Sequence, residues 1–356
     1  MISIATLFLA VISAGILAAA VRHLPLPAAA PLPDRWHRTV TPVTGGIALF
    51  AAFGIALAPS LVSGAVDPRY LPLVLGAGAA FLLGLLDDAR SIDARMKFAG
   101  QIAIGLLAAS AGLHPDWLPS WAGIPIACLI LVGSMNSLNL LDNMDGLAAG
   151  TAAVAAIGLA LVGGLVAGSG SPVVAAALAG ACLGFLPFNY RPRRPAALFM
   201  GDSGSHMLGF TLGGLALLAS PGGAGGAAVA VAAPLLILAL PVLDTALVML
   251  VRFAEGRPLY QGGRDHSSHR LVYHGMGERR AVALLLGIAV NCTMTAIALV
   301  ILQDLLLTMV IAAATIAALI AFASQLIVIT EQVDVHVLAP VPGELGRGEA
   351  RNAEVG

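Results

Sequence analysis

Apolar runs of membrane-spanning length recur along nearly the whole chain, and they decide the fold class. Eleven of them lie between polar interruptions, at about 2–21, 44–64, 71–86, 98–113, 122–141, 147–167, 172–188, 203–219, 227–251, 282–302 and 305–328. A helix needs about 20 mostly apolar residues to cross the hydrocarbon. No water is available there, so each span must satisfy its own backbone hydrogen bonds. The expectation is an all-α, polytopic integral membrane protein with ten or eleven spans. The shortest runs are the third and the seventh, and only Gln303 and Asp304 divide the last two. Gly and Pro inside the runs do not argue against helices, because both are tolerated in membrane spans. The 2–21 run lacks a basic leader and reads as a retained first span.

Composition supports this and excludes the other classes. The 356 residues include only 18 Lys or Arg and 19 Asp or Glu, and 59% are hydrophobic. A soluble domain carries about 25% charged residues. A mean hydropathy of +0.94 leaves too much apolar surface for one aqueous core. The net charge of −1 offers nothing to nucleic acid, so no nucleic-acid partner is expected. Cys128, Cys182 and Cys292 form no CxxC pair, which argues against a disulfide framework or a thiolate metal site.

Lys and Arg set the orientation. With the N-terminus outside, the inner loops and tail hold 17 of the 18 basic residues and leave only Arg69 outside. Nearly all acids before the tail share that inner face, apart from Asp67, Asp116 and Asp304. The chemistry is therefore expected on the cytoplasmic side, with the C-terminus also inside. Residues 1–330 read as one transmembrane catalytic domain and 331–356 as a polar, mobile cytoplasmic tail. No internal repeat of the kind that marks many transporters stands out.

Three polar groups interrupt the apolar pattern at the inner ends of spans. Asp87 and Asp88 close FLLGLLDDAR, where adjacent like charges raise each other's proton affinity unless a cation shares them. Such a pair suggests a Mg²⁺ site or a proton acceptor. Asn136, Asn139, Asp142 and Asp145 recur every third residue in NSLNLLDNMDGLAAG, a spacing that puts neighbours on one helical face. Interhelical hydrogen bonding accounts for amides, but two acids at that depth are costly without a ligand. In FMGDSGS, Asp202 suits a hard cation, while backbone N–H groups opening the eighth span suit phosphate. An ordinary N-cap by Asp202 or Ser203 is the plainer alternative, and His206 reads as a packed side chain.

The largest inner loop, VRFAEGRPLYQGGRDHSSHRLVYHGMGERR, groups Arg264, His266, His269 and Arg270. Cations in that pattern suit an anionic phosphate ester, whereas the outer arginines are those of a solvated, positive-inside loop. A zinc site would need a Cys or third His at suitable spacing, which is missing. Asp244, inside the ninth run, is a functional suspect because ionisable groups there are costly. Asp34–Arg38, between the first two runs, carries the basic and aromatic residues that suit headgroups.

Taken in order, TPVTGGIALF, GLLDDAR, NSLNLLDNMDGLAAG, FMGDSGSHMLGF, PVLDTALVMLVR and GRDHSSHRL resemble the polyprenyl-phosphate N-acetylhexosamine-1-phosphate transferase family, over roughly residues 30–275. The resemblance implies transfer of a sugar-1-phosphate from a UDP-sugar to a polyprenyl phosphate such as undecaprenyl phosphate, with release of UMP. It implies Mg²⁺ as cofactor, with Mn²⁺ as a substitute, and leaves room for a homodimer. It assigns Asp202 to Mg²⁺, and Asp87 and Asp88 to lipid-phosphate activation or metal contact. Asp142, Asp145 and His266 become catalytic residues. Asn139, Asn189, Phe199, Arg264, His269 and Arg270 become substrate contacts, with Phe199 near the uracil. Direct attack by the lipid phosphate is favoured over a covalent phospho-enzyme, because a phosphate oxygen is already nucleophilic.

Two departures bear on the branch. Ser267 and Ser268 separate His266 from His269, where the phospho-MurNAc-pentapeptide transferases have a run of histidines. The stretch YRPRRPAALF after Asn189 is also longer than in that branch. Both features resemble the branch that uses UDP-N-acetylglucosamine and primes envelope glycans such as O-antigen or teichoic acid, at the inner membrane. Two other classes make different demands. A secondary transporter places its acids near mid-membrane, and an intramembrane aspartyl protease needs Asp244 to face a second acid.

Overall fold

The computed structural model describes residues 1–23, 28–29, 40–165, 171–191, 193–219, 226–258, 263–302 and 304–337. Among them the chain is all-α, apart from a two-residue antiparallel pairing of Ala28–Ala29 with Thr41–Pro42. The helices are α1 (Ile2–Val21), α2 (Gly45–Val62), α3 (Leu71–Arg90), α4 (Ala94–Ser110), α5 (Ser120–Leu141), α6 (Leu147–Leu165) and α7 (Ser171–Asn189). They continue with α8 (Gly201–Leu218), α9 (Gly226–Ile237), α10 (Ala239–Ala254), α11 (Ser267–Tyr273), α12 (Glu278–Leu302) and α13 (Leu305–Val337).

Each expected apolar run carries a helix, and among the described residues eight helices are long and apolar enough to span, or nine if the bent pair α9–α10 is one span. The run at 227–251 is not one straight span, because its two halves meet at 73°. Pro241 explains the break: it has no N–H for the Ile237 carbonyl, and its ring clashes with that carbonyl. The boundary expected at 330 falls inside α13. The rest of the tail and Asp34–Arg38 lie outside the described residues.

Small residues let the spans approach closely, the usual device where lipid supplies no hydrophobic drive between helices. Ala10, Ala14 and Ala18 line one face of α1. A Cβ added at Gly180 of α7 would fall 2.4 Å from the Leu7 carbonyl oxygen, and one at Gly184 2.3 Å from that of Val11. Large apolar side chains such as Trp121, Leu129 and Phe253 stay exposed on the outside, as lipid-facing residues should.

Successive spans alternate in direction. Asp87, Asn139, Asn189 and Arg252 end α3, α5, α7 and α10, whereas Lys97, Asp202 and Glu278 begin α4, α8 and α12. All of them therefore meet at one end of the bundle. That end also carries every described basic residue except Arg69, which lies in the turn Pro68–Tyr70.

Candidate active site

The end where the acids meet opens into a cavity of about 760 Å³. Asp88, Asn139, Asp142, Asp145, Asn189, Phe199, Asp202, His266 and His269 line it, together with Arg191, Arg193, Arg194, Arg252 and Arg279. One wall is acidic and borne by spans. The other is basic, borne by the segment between α7 and α8 and by the ends of α10 and α12.

Asp202 organises the acidic wall. Its Oδ2 accepts from Lys97 Nζ at 2.6 Å, and the same ammonium donates to Asp87 Oδ2 at 2.8 Å. Asn139 Nδ2 donates to Asp202 Oδ1 at 2.8 Å and to Ser205 Oγ at 3.0 Å. Asp87 Oδ1 accepts from the Ile92 N–H in the turn to α4. Asp88 does something else, since its oxygens accept from the N–H groups of Asp202 and Ser203 at 2.8 and 3.0 Å.

The two neighbouring acids therefore do not share one cation. Adjacent side chains on a helix point in different directions, so Asp87 reaches α4 while Asp88 caps α8. The N–H groups expected to receive phosphate are already occupied by Asp88, and neither Asp202 nor Ser203 caps α8 with its side chain. This contact needs glycine. Gly201 has φ +66°, and a Cβ there would lie 2.6 Å from Asp88 Oδ2. A Cβ at Gly84 on α3 would lie 2.3 Å from the Asp202 carbonyl oxygen.

The every-third-residue stripe also divides. Helix α5 ends at Leu141, with Asp142 as its C-cap, so the two acids lie in the turn before α6. Asn136 faces α4 instead of the cavity, donating to Gln101 Oε1 at 2.7 Å. Gln101 Nε2 lies 2.7 Å from His206 Nε2, and His206 Nδ1 lies 2.6 Å from the Asp202 carbonyl oxygen. His206 is fully buried, as a packed residue should be, and this chain of amides is interhelical bonding. Asp145 Oδ2 accepts from the Ala196 N–H at 3.1 Å. Asp142, lining the cavity, is pushed up to about 8 by burial and by the charges of Asp202, Asp145 and Asp88. It therefore carries a proton to donate near neutral pH.

Asn189 and Phe199 shape the floor. Asn189 Oδ1 accepts from the Gly146 N–H at 2.8 Å, and its Nδ2 donates to the Leu198 carbonyl at 3.1 Å. The amide thus ties α7 to the α5–α6 turn and to the segment before α8. The Phe199 backbone bridges Pro42 O and Gly45 N at 2.9 and 2.8 Å.

On the basic wall, His266 Nδ1 lies 2.8 Å from Asp244 Oδ2 on α10. Among the described residues Asp244 faces no second acid: its other oxygen accepts from the N–H and hydroxyl of Ser267. That arrangement does not supply the facing acids of an aspartyl protease. Ser268 Oγ donates to Asn143 Oδ1 at 2.6 Å and docks the loop on the α5–α6 turn. His269 packs edge-on to His266, and burial with that neighbour pushes it down to about 4, so it is neutral at pH 7.

Arg264 and Arg270 do not line the cavity. Arg270 donates to the Asp265 carbonyl at 2.8 Å and to the Leu326 carbonyl on α13 at 3.2 Å. Arg252 and Arg257 instead grip the Asp265 carboxylate at 3.1 and 2.9 Å. Despite burial, which acts the other way, these two cations hold Asp265 below the usual carboxylate range. Arg257, expected to be solvated, is thus a partner of this loop.

The residue that sequence reasoning missed is Lys97, counted only as one of many inner cations. Its signal was available, because Lys97 is the only lysine among the 18 basic residues. Where two carboxylates converge, a compact ammonium fits and a planar guanidinium does not. Arg191, Arg193 and Arg194 were read as orientation and branch markers, and Arg279 as an orientation marker, but all four line the cavity.

The comparisons with known proteins agree with this geometry. The glycosyl transferase family 4 profile matches residues 70–220, from the head of α3 to just past α8. A probable undecaprenyl-phosphate N-acetylglucosaminyl 1-phosphate transferase of Bacillus subtilis is 31% identical over 278 residues, covering 74% of this chain and 74% of that protein. The decaprenyl-phosphate N-acetylglucosaminephosphotransferase of Mycobacterium tuberculosis is 33% identical over 286 residues, covering 70% of each chain. A Synechococcus phospho-N-acetylmuramoyl-pentapeptide-transferase is 38% identical over 207 residues, but covers 51% of this chain and 55% of that protein. A multi-pass membrane bundle, an acidic wall built from the matched segment and relatives aligned along most of their length lead to one conclusion: the chain belongs to glycosyl transferase family 4, the polyprenyl-phosphate sugar-1-phosphate transferases.

Proposed function

We propose that this protein transfers N-acetylglucosamine 1-phosphate from UDP-N-acetylglucosamine to a polyprenyl phosphate at the cytoplasmic face of the plasma membrane, releasing UMP, with Mg²⁺ as cofactor. The observation that carries the reading is the convergence of Asp202 and Asp87 on one cation position, with Asp202 lining a cavity that arginines also line. An anionic donor and an anionic acceptor can meet only where both signs of charge are supplied, and such a site suits phosphoryl transfer. The N-acetylglucosamine assignment rests on the relatives aligned over the larger share of the chain. The inward orientation rests on the gathering of basic residues at the site end.

Among the described residues no three His, Cys, Asp or Glu side chains form a metal cage. Mg²⁺ does not require one, because it binds through one or two carboxylates, phosphates and waters. The Asp202–Asp87 pair, which already holds an ammonium in common, fits that demand, and these two residues would hold the ion. When bound, Mg²⁺ would offset diphosphate charge and polarise the phosphoryl oxygens.

The chain's own groups do the rest. Asn139 and Asp88 fix Asp202, one through its carboxylate and the other through its backbone. Without the ion, Lys97 bridges the two carboxylates and keeps them together. A phosphate monoester is largely ionised at pH 7, so its oxygen attacks without a strong base. The attack forms a bond to the sugar-bearing phosphorus of the donor and breaks the bond to UMP.

Purified protein in detergent should release UMP from UDP-N-acetylglucosamine only when polyprenyl phosphate and Mg²⁺ are both present. UMP release from UDP-MurNAc-pentapeptide in place of UDP-N-acetylglucosamine would move the protein to the other branch. Release that ignores the lipid would overturn the acceptor assignment.

A further inference from the structure

Helix α10 carries two buried ionisable side chains eight residues apart, Asp244 and Arg252, each 1% exposed. Both are spent on consecutive residues of the loop that ends in α11. Arg252 Nε donates to Asp265 Oδ2 at 3.1 Å. Asp244 Oδ1 accepts from the Ser267 N–H at 2.8 Å and the Ser267 hydroxyl at 2.6 Å, and Asp244 Oδ2 meets His266 Nδ1 at 2.8 Å. A buried acid is costly unless its oxygens are filled, and three donors fill these.

An ionised carboxylate only accepts. The ring proton of His266 therefore belongs on Nδ1, and Nε2 is the nitrogen left for other partners. His266 lines the cavity and Asp244 does not. Any effect of Asp244 on substrate must pass through the residues it holds. We propose that Asp244 is a positioning residue for the transfer reaction, fixing the tautomer and orientation of His266 so that Nε2 serves the phosphate groups in the cavity. This rests on the transferase reading above.

The competing account is that Asp244 only pins the α11 loop, and a double-mutant cycle separates the two. Asp244→Asn keeps the shape and one acceptor oxygen, but the new amide can only donate to Nδ1 and drives the ring proton to Nε2. In the wild-type background it should lower kcat about 10²-fold, on the scale of losing one preorganised electrostatic contact, with KM for UDP-N-acetylglucosamine nearly unchanged. In a His266→Ala background the same change should cost less than about twofold, because no ring remains to orient.

Nitrogen-15 imidazole spectra give the second readout. The signal lost in His266→Gln should show an Nδ1–H ring in the wild type and an Nε2–H ring in Asp244→Asn. Equal losses from Asp244→Asn in both backgrounds would overturn the proposal, as would a fully active His266→Ala. If Asp244→Asn does not insert, the wild-type spectrum still decides, since an Nε2–H ring there refutes the assignment. Wild-type protein that releases no UMP would instead remove the transferase reading, leaving the spectra to decide whether Asp244 sets the ring.

Discussion

The acidic wall of the cavity is carried mainly on membrane-spanning helices, with Asp142 and Asp145 in the turn after α5, whereas the segment between α10 and α12 brings His266 and His269 to the cavity. On the first, backbone packing places the charges: Gly84 and Gly201 allow α3 and α8 to approach until Asp88 caps α8 and Asp202 faces Lys97. On the second, charges place one another. Arg252, Arg257 and Arg270 all hold Asp265, and Asp244 holds His266 and Ser267. The contrast separates two uses of an ionisable group. Asp202 on the helical wall has its charge turned toward the ligand space, while most cations of the loop are consumed in building the loop itself. Substitutions at Asp202 should therefore strike turnover, and those at the cations that build the loop should strike stability first.

The largest effect is expected at Asp202. Asp202→Asn keeps the shape, and its one remaining oxygen can serve Asn139 or Lys97 but not both, with Lys97 keeping Asp87 as a partner; the charge that would hold Mg²⁺ is gone. Turnover at saturating UDP-sugar should fall about 10³-fold, the scale of several kcal/mol of lost charge stabilisation. The thermal midpoint in detergent should change little. Near-normal turnover with an unchanged Mg²⁺ dependence would break the assignment and make the helical wall no more catalytic than the loop.

Arg270 tests the other side of the contrast. It is buried, and its donors serve the carbonyls of Asp265 and Leu326. Arg270→Ala should cost about 2 kcal/mol of stability, the worth of charge-assisted hydrogen bonds to buried carbonyls. The protein that remains folded should keep kcat within about threefold. A tenfold rise in KM for the UDP-sugar with an unshifted melting curve would instead make Arg270 a substrate contact and blur the two walls.

Much of the helical wall was legible in the sequence, because helix ends are marked by the same polar residues that form the site. GLLDDAR and FMGDSGS mark the ends of α3 and α8 to within a few residues. What the linear pattern left open was direction. Asp87 and Asp88 are neighbours in sequence but face different helices, and the Asn136–Asp145 stripe runs off the end of α5 before its acids. Pro241 bends the ninth run, a local steric event that an average over apolar residues does not register. The loop was harder to read, since a cluster of arginines looks alike whether it faces a phosphate or a neighbouring carbonyl. Arg270 and Arg257 are the examples, and only tertiary contacts distinguish them from the arginines that line the cavity.

The smallest expected effect belongs to Asp142, where the helical wall borders the turn. Its carboxyl is pushed up to about 8 from an ordinary value of 3.8, by burial first and then by the charges of Asp202, Asp145 and Asp88. Between those two values the folded protein keeps a proton that the unfolded chain has released. Stability must then fall as pH rises through that window and level off above it. Asp142→Asn is neutral at every pH and lacks this term. Measured without ligand, the melting point of Asp142→Asn should gain on that of the wild type between pH 5 and pH 8, and the gap should stop widening above pH 8. A gap that stays constant across the window, or that grows on acidification, would mean that Asp142 is ionised in the folded protein. In that case the acidic wall presents one more negative charge to its ligands than the geometry implies, and the cations of the loop would have to offset it.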